Sequence, residues 1–509
     1  MKIALRSFFP ASLLLYAALA VSIAWGLVGC LSPAFGDESF EYLQVVLQHS
    51  SKRSLTDYTA VIRRFSDETV PPDVWLPSQL LEQMKVQIKL NEKKDSFTLR
   101  LAHPADTLGV TALKTLAPKA LDLDFKALSD DNRQHFNISG LERVSGISYI
   151  LPEEAKGYED ALVVGLTPFM TQIPRWEKGP KKPQELKIPF NLVWDHVTRD
   201  NPDLSLEEAI PGVAVISPTW FALRDEKGAL SGNGSRSYVF AARKQGYHVW
   251  ALVSNGFNKD RTTKFLADKK AQDLFVAKML AYAKIFDFDG INVDFESVAN
   301  EDAKKLTAFV KKLTDATRTM GLKVSIDVMI PTKWSTCYER KELAEIVDYV
   351  AVMAYDEHWR TAPKAGSTAS LPWVQNALKN TLADVPASKL LLGIPFYTRE
   401  WEETKGKDGK VTVKSKTMAM PSVDLRLEET AAEKKWLEAA GQHYFQYRSD
   451  DKTYRVWVED EKSITGRLAL VKADRLAGAA FWRKGFEHLD IWESVGKALE
   501  EDRKSRIKK

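Results

Sequence analysis

The chain has 509 residues and a formal net charge of +4 at pH 7, with 44% hydrophobic and 28% charged residues. This length predicts two or three domains with packed cores. So weak a positive charge gives no reason to expect nucleic-acid binding. The two cysteines, Cys30 and Cys337, are too few for a framework of disulfides.

Residues 1–36 have the pattern of a targeting segment. Two basic residues precede an uncharged run, Ser7 to Gly29, that is rich in Leu, Ala and Val. Leu27-Val-Gly-Cys30 resembles the lipidation motif of bacterial lipoproteins, which would make Cys30 the lipidated first residue. An uncleaved membrane anchor is one alternative, because the run is long enough to span a bilayer. Cleavage after Gly36 is another, and all three predict an extracytoplasmic, and in the first two cases membrane-tethered, bacterial protein.

Residues 37–166 indicate a small α+β region. The spacing of apolar residues over 38–66 predicts a helix. Residues 76–101 and 138–164 each favour a short helix followed by a β-hairpin. This pattern resembles the small stalk modules of bacterial surface enzymes (copper amine oxidase N-terminal-like), and the resemblance implies spacing or wall contact rather than chemistry. Prolines and lysines then recur through 167–187, which we interpret as a linker.

Residues 188–500 alternate between apolar, strand-like runs and helical patterns, which indicates βα units around a parallel sheet. Eight such units predict the α/β class and a closed (β/α)8 barrel. Asn300 is expected to cap the helix after the fourth strand, and residues 400–476 are expected to form a small α+β insertion over the barrel mouth. The predicted strands are Phe190–Asp195, Val213–Ser217, His248–Ser254, Gly290–Glu296, Lys323–Val328, Tyr349–Tyr355, Leu390–Phe396 and Gly478–Trp482.

The fourth predicted strand carries the most informative motif, Asp289-Gly-Ile-Asn-Val-Asp-Phe-Glu296. Because alternate side chains of a strand share a face, Asn292, Asp294 and Glu296 should point the same way. Burial and mutual repulsion should then separate the pKa values of the two carboxyl groups, as general-acid chemistry on a glycosidic oxygen requires. Acidic residues at a strand end can also merely cap a helix or pair with a lysine. The residues at the ends of the other strands are therefore needed to distinguish a catalytic from a structural role.

Barrel enzymes place their catalytic groups at the C-terminal ends of the strands. Polar and aromatic residues do collect at the predicted ends of this chain. They are Trp220 after strand two, Asn255 after strand three, Asp327 and Met329 on strand five, Met353, Tyr355 and Asp356 at strand six, Tyr397 and Arg399 at strand seven, and Trp482 at strand eight.

The order D-G-x-N-x-D-x-E resembles the signature of family 18 glycoside hydrolases, except that Asn292 stands where most chitinases carry Asp. Met353-Ala-Tyr-Asp356 resembles the M-x-Y-D motif of that family, and Leu391–Tyr397 and Ala479–Trp482 resemble its strands seven and eight. The resemblance covers roughly residues 187–493. It is strongest to the branch of spore-cortex and cell-wall N-acetylglucosaminidases, in which Asn at this position is usual.

The resemblance implies a retaining, substrate-assisted mechanism. Glu296 would protonate the leaving oxygen and later activate water, Asp294 would orient the substrate acetamido group, and Tyr355 would hold its oxygen. No metal or cofactor is implied, and neither His358 nor Cys337 has partners at ligand spacing. Residues assigned to substrate binding on the same basis are Asn292, Asp289, Asp356, Trp482, Trp220, Asn255, Met353, Tyr397 and Arg399.

We therefore predict an extracytoplasmic hydrolase that cleaves β-linked N-acetylglucosamine-containing glycan, either peptidoglycan or spore cortex. A chitinase is the enzymatic alternative. A non-catalytic, lectin-like barrel is the other, although the presence of Glu296 argues against it. Endo or exo action and the oligomeric state are left open by the sequence.

Overall fold

The computed structural model describes residues 40–49, 52–84, 88–90, 96–126, 128–130, 133–141, 147–158, 160–166, 180–198 and 200–507. The targeting segment with Cys30, and residues 167–179 of the predicted linker, lie outside these ranges. Among the described residues, no helix combines the length and the apolar character needed to cross a bilayer.

The N-terminal region consists of two sheets and short helices. A seven-stranded sheet has the order β7-β8-β3-β2-β1-β10-β9, with β1 and β10 parallel and the other pairs antiparallel. A smaller antiparallel sheet has the order β4-β5-β6. The elements are β1 (Phe40–His49), β2 (Lys52–Arg63), β3 (Asp73–Pro77), α1 (Ser78–Gln83), β4 (Ile88–Leu90), β5 (Ser96–Ala102), α2 (Pro104–Leu108), α3 (Leu113–Leu116), β6 (Ala120–Lys126), β7 (Leu128–Asp130), β8 (Arg133–Asn137), β9 (Ile147–Ile150) and β10 (Ala161–Leu166).

The predicted helix over 38–66 is wrong, because this segment forms the paired strands β1 and β2. Val45 and Val46 are both fully buried, Val45 in the main core and Val46 in a small cluster with Val163 on the opposite face. A central strand covered on both faces reads as a continuous apolar run, which periodicity cannot distinguish from a buried helix. The second predicted short helix is also absent at Ser139–Leu141, which form a turn, while residues 142–146 lie outside the described ranges.

The C-terminal region is the predicted (β/α)8 barrel. Its strands run in the order β11-β12-β15-β16-β17-β18-β19-β25, all parallel, and β25 pairs back to β11. The strands are β11 (Phe190–Asp195), β12 (Val213–Pro218), β15 (His248–Ser254), β16 (Gly290–Asp294), β17 (Lys323–Met329), β18 (Tyr349–Met353), β19 (Leu390–Pro395) and β25 (Gly478–Trp482), and a hairpin of β13 (Phe221–Leu223) and β14 (Leu230–Gly232) extends the sheet beside β15.

Helices cover the outside of the barrel. The helix after the fourth strand buries Leu306, Phe309 and Leu313, as its apolar stripe predicts. Asn300 does not cap it, because a 3-10 turn moves the helix start to Ala303, and the Asn300 side chain instead accepts from the amide of Cys337 at 3.1 Å. The helices are α4 (Arg236–Lys244), α5 (Lys259–Ala267), α6 (Lys269–Phe286), α7 (Ala303–Arg318), α8 (Arg340–Ile346), α9 (Leu371–Thr381), α10 (Met420–Thr430), α11 (Glu461–Ala473) and α12 (Ile491–Ile507).

Between β19 and β25 the chain forms a five-stranded antiparallel sheet of order β21-β20-β24-β23-β22. It contains the hairpin and the following helix expected from the sequence, and Asp460 caps that helix, α11, through a capping box with Ser463. The strands are β20 (Tyr397–Lys405), β21 (Val411–Ala419), β22 (Lys435–Leu437), β23 (Gln442–Ser449) and β24 (Lys452–Val458).

The N-terminal region and the barrel share one hydrophobic core. The ring of Phe125 on β6 meets two rings of α6 edge-on, those of Tyr282 at 5.7 Å and Phe286 at 6.2 Å between centroids. The Tyr282 hydroxyl also bonds both the amide and the carbonyl of Asp124. These apolar and polar contacts fix the small sheet β4-β5-β6 against the barrel.

Candidate active site

Strand β16 delivers the acidic motif to the C-terminal end of the barrel. Ile291 and Val293 pack outward in the core between strands and helices, so Asn292 and Asp294 point inward. The strand ends at Asp294, and Glu296 follows two residues later at its rim. The alternation predicted from the sequence therefore holds.

A cleft of about 810 Å³ opens at this end of the barrel. This volume lies within the range of ligand-binding cavities. Glu296, Asp294, Tyr355 and Trp482 all line it. Its other polar and aromatic lining residues on the barrel include Trp194, His196, Trp220, Ser254, Phe257, Asp327, Asp356 and Tyr397.

The carboxyl group of Glu296 has a raised pKa, which suits it to act as a general acid. Burial, followed by repulsion from Asp356, raises its pKa to about 7. A carboxyl group with this pKa is substantially protonated at neutral pH and so can donate a proton to a leaving oxygen.

Asp294 is buried beside Glu296. Burial raises its pKa well above the usual value, and repulsion from Glu296 and Asp327 adds to the effect. Its Oδ1 is buried and accepts no hydrogen bond from any residue that the structure describes. A buried carboxylate oxygen without a donor is costly, so this atom is suited to accept from a ligand in the cleft.

Tyr355 supplies a hydroxyl to the same cleft. Burial, with nearby Tyr397 and Asp327 as further causes, raises the pKa of Tyr355 well above its usual value. The phenol therefore stays protonated and can donate to an oxygen of a bound molecule. Its ring meets that of Tyr397 edge-on at 6.2 Å.

Asn292 lies beneath the cleft rather than in its wall, so the expectation that it contacts substrate is not met. Its carboxamide is fully used inside the barrel. The Oδ1 accepts from Trp194 Nε1 at 2.8 Å and from the Ser217 hydroxyl at 3.3 Å. The Nδ2 donates to Asp327 Oδ1 at 2.8 Å and to the Ser325 hydroxyl at 2.9 Å.

This network places a carboxylate next to Asp294 from a neighbouring strand. The Asp327 side chain lies on β17, and the carboxamide of Asn292 holds its Oδ1. Burial raises the pKa of Asp327, the hydrogen bond from Asn292 opposes this increase, and repulsion from Glu296 adds to it. The chain thus lacks an acid at position 292 but has one in contact with that position.

Asp356 lies at the rim, where its side chain is 42% exposed. Its Oδ1 accepts from the Tyr397 hydroxyl and from Arg399 Nη2, each at 2.6 Å. Arg399 is itself buried and does not line the cleft, so the structure gives it the role of holding Asp356 rather than the predicted contact with substrate. Asp356 in turn raises the pKa of Glu296.

Asn255 is also a positioning residue and not part of the cleft wall. Its fully buried side chain donates from Nδ2 to the Glu296 carbonyl at 2.6 Å, and its Oδ1 accepts from the Glu296 amide at 3.2 Å and from the Phe257 amide at 3.1 Å. Both backbone groups of Glu296 are therefore fixed by one side chain. The expectation of a sugar contact at Asn255 is corrected accordingly.

Asp289 precedes the strand and so lies at the opposite end of the barrel from the cleft. It bonds Arg243 at 2.9 Å and accepts from the Val249 amide at 3.0 Å. The prediction that it binds substrate is wrong, because only the C-terminal strand ends face the cleft. An acid at the start of the motif stabilises the fold instead.

The aromatic residues divide between packing and lining. Trp482 lines the cleft and meets Trp194 edge-on at 5.9 Å. Trp220 and Met353 also reach the cleft but are almost wholly buried, and Trp220 Nε1 donates to Asn201 Oδ1 at 2.6 Å. Trp482 is therefore better placed than the buried Trp194 and Trp220 to stack on a sugar ring.

Within the ranges that the structure describes, no group of three or more His, Cys, Asp or Glu residues is placed to hold a metal ion. His358 bonds the carbonyl of Ser367 through Nδ1 at 2.9 Å. Cys337 is a buried free thiol.

The sequence profile of the family Glycosyl hydrolases family 18 matches residues 224–486, just over half of the chain. The chain belongs to family 18. The uncharacterized glycosylase YvbX of Bacillus subtilis is 27% identical over 291 residues, which cover 54% of this chain and 81% of YvbX. The cortical fragment-lytic enzyme of Bacillus anthracis is 25% identical over 247 residues, covering 47% of this chain but only 56% of that enzyme.

Family 18 also accounts for the architecture. The crystal structure of a chitinase from Chromobacterium violaceum superposes with a TM-score of 0.54 at 23% identity, and covers 61% of this chain and 99% of that one. At this identity the likeness concerns the fold. Family membership makes the protein a glycoside hydrolase, with relatives that act on cortex or chitin-like glycans.

Several lining residues were not singled out from the sequence. Trp194 and His196 follow from the end of the first strand, and the same rule of strand ends would have found them. Phe257, which follows Gly256 in the loop after β15, was also not singled out. Nothing in the family 18 motifs indicates the N-terminal residues that line the same cleft, which are Thr98, Asp124 and Phe125.

Proposed function

We propose that the protein is an extracytoplasmic glycosidase that cleaves β-linked N-acetylglucosamine-containing glycan, peptidoglycan or spore cortex, by a retaining, substrate-assisted mechanism. The observation that carries this proposal is the pairing of a protonatable Glu296 with a buried Asp294 in one cleft. A pKa of about 7 suits Glu296 for protonating the glycosidic oxygen.

Asp294 has the complementary task. Its Oδ1 has no donor among the described residues and can accept from the N–H of an acetamido group. That bond turns the acetamido oxygen towards C1, where it displaces the leaving oxygen and forms a cyclic oxazolinium-like intermediate. The negative charge of ionised Asp294 then stabilises the positive charge of this ring.

The remaining groups complete the cycle. The Tyr355 hydroxyl, kept protonated by its burial, donates to the acetamido oxygen. Trp482 provides a ring on which the sugar can stack. After the leaving group departs, Glu296 takes a proton from water, which attacks C1 from the side the leaving group occupied. This attack breaks the bond between C1 and the acetamido oxygen, re-forms the acetamido group and restores the original configuration.

The expected substrate preference is testable with purified glycans. We expect the protein to release fragments from peptidoglycan or cortex faster than from chitin oligomers, with retention of anomeric configuration, measured by mass spectrometry and by NMR of early products. The named cortical fragment-lytic relative supports this choice. Faster cleavage of chitin oligomers would instead favour the chitinase alternative. Binding without cleavage of any N-acetylated glycan would favour a lectin-like barrel.

We further propose that residues 1–36 tether the protein outside the cytoplasm through a lipid on Cys30. The uncharged run Ser7 to Gly29 and the Leu27-Val-Gly-Cys30 motif support this. Mass spectrometry of the N-terminus of the membrane-extracted protein is expected to find Cys30 first, with lipid attached. Met1 at the start would instead indicate an uncleaved anchor, Asp37 would indicate release, and either would contradict the lipid tether.

A further inference from the structure

The active-site cleft is not built by the barrel alone. Thr98 on β5 and Asp124 and Phe125 on β6 line it together with Glu296 and Asp294. These three residues belong to the N-terminal region, which lies outside the part of the chain matched by the family profile. The sequence had suggested that this region only spaces the enzyme from the membrane or wall.

A continuous path of strands connects the acids to the small sheet. From β16 the barrel sheet continues through β15 and β13 to β14, and β6 packs alongside β14. At about 4.8 Å between neighbouring strands, β14 lies roughly 15 Å from β16. The cleft therefore extends well beyond the length of one sugar ring.

Gly232 on β14 permits the close approach of these elements. A Cβ at this position would lie 2.7 Å from Cε1 of Phe221 and 3.6 Å from the carbonyl oxygen of Asp124. Any larger residue would have to displace the Phe221 ring, which is itself buried. The hairpin β13–β14 and the small sheet therefore pack closely along this wall of the cleft.

The small sheet presents a polar face to the cleft. Phe97, Leu99 and Leu101 on β5 are buried, so Thr98 and Arg100 share the opposite face. Across the strands, Thr98 pairs with Asp124 and Arg100 pairs with Asp122. Of these two cross-strand pairs, Thr98 and Asp124 line the cleft, and the Arg100 and Asp122 pair is exposed farther out.

The carboxylate of Asp124 can accept hydrogen bonds from the hydroxyl groups of a bound sugar. Its Oδ2 is paired with the buried Lys278 ammonium at 2.5 Å, and its Oδ1 accepts from the Thr98 hydroxyl at 2.7 Å. The Asp124 side chain is still 25% exposed. Each carboxylate oxygen has a further lone pair, so a charge-compensated carboxylate remains available to sugar hydroxyls.

We infer that Thr98 and Asp124 form an outlying sugar subsite, so that the N-terminal region sets how long a glycan the cleft engages. This inference rests on the proposed function, because it assigns the subsite to the same N-acetylated glycan. The Asp124 carboxylate and the Thr98 hydroxyl bond the sugar hydroxyls, while Phe125 points to the opposite face of β6 and anchors the strand against α6. Short substrates occupy the catalytic end only and do not reach this subsite.

The test measures binding of N-acetylglucosamine oligomers of two and six units by calorimetry, in the Glu296→Gln background. Thr98→Trp places a bulky ring in the outlying part of the cleft. We expect it to weaken binding of the hexamer about tenfold, equivalent to about 1.4 kcal/mol, and to leave binding of the dimer unchanged. Retained dimer binding also shows that the variant is folded.

Two further variants make the test specific. Arg100→Trp puts the same ring on the same strand face, one cross-strand pair farther out, and should leave both affinities unchanged. Thr98→Val keeps the side-chain volume and removes the hydroxyl, so a smaller loss for the hexamer is expected even if the Trp variant does not fold. A hexamer-to-dimer affinity ratio that is equal in the parent and both Thr98 variants would overturn the inference. If the wild-type protein hydrolyses no N-acetylated glycan, the proposed function fails while these ratios still decide the subsite.

Discussion

Glu296→Gln is expected to reduce hydrolysis of N-acetylated glycan by about 10²–10⁴-fold, the usual contribution of a positioned acid or base. The carboxamide cannot donate the proton that the leaving oxygen needs, and it cannot later take one from water. Its shape is close to that of the protonated acid, so the affinity for glycan should change little. Initial rates and calorimetric binding on the same preparation measure both quantities.

Glu301→Gln is the matched control for this variant. It makes the same chemical change five residues later, at an exposed position in the 3-10 turn before α7, and is expected to retain full activity. Equal rates for wild type and Glu296→Gln would refute the assignment of Glu296 as the acid. A loss of binding that matches the loss of rate would instead point to a structural role.

Changing the side chain at position 292 alone, or at position 327 alone, is expected to move the acid limb of the pH–rate profile. The proposed mechanism needs Asp294 ionised, and repulsion from Asp327 raises the pKa of Asp294. Asp327→Asn removes that repulsion and should shift the acid limb to lower pH. Asn292→Asp adds a carboxylate oxygen where Nδ2 now lies, 2.8 Å from Asp327 Oδ1, and should shift the limb to higher pH.

The double variant Asn292→Asp/Asp327→Asn again has one carboxylate in the pair and should return the limb close to its wild-type position. The pH–rate profiles of the three variants reflect the coupled carboxyl groups of the site rather than the titration of a single residue. Thermal unfolding at each pH shows whether a limb reflects loss of the fold instead. Four profiles with the same acid limb would contradict the influence of Asp327 on Asp294.

The sequence predicted the barrel well because its strands are buried on both faces. Strands such as His248–Ser254, apolar from Val249 to Val253, and Gly478–Trp482 have continuous apolar runs separated by helical patterns, and their observed bounds agree with the predicted ones. The same property misled the prediction near Val45 and Val46, where a central strand was taken for a helix. No alternating helices followed there to resolve the ambiguity.

The site was predictable as far as strand ends could be read. Asp294, Glu296, Tyr355 and Trp482 come from three strands and meet in one cleft, because parallel strands of a barrel end at the same face. The sequence does not show how far below the open end of the barrel a residue of a strand lies. Asn292 shares the face of Asp294 but is buried two residues below it, and Asp289 lies at the far end.

The sequence also did not indicate which side chains contact one another. Which of several polar residues at a rim contact one another depends on rotamers and on loops of different strands, as for Arg399 with Asp356 and Asn255 with the backbone of Glu296. Contacts across regions that are more than 150 residues apart, such as Asp124 with Lys278, leave no local pattern at all.

Helix α6 packs against both the barrel and the N-terminal region, and this determines where the molecule can be divided. Its Tyr282 and Phe286 belong by sequence to the barrel, yet their rings are covered by Phe125. A fragment cut at the proline-rich segment would leave these rings facing water, together with the buried ammonium of Lys278, which would lose its counter-ion. The break suggested by composition at 167–187 is therefore a poor place to cut the protein.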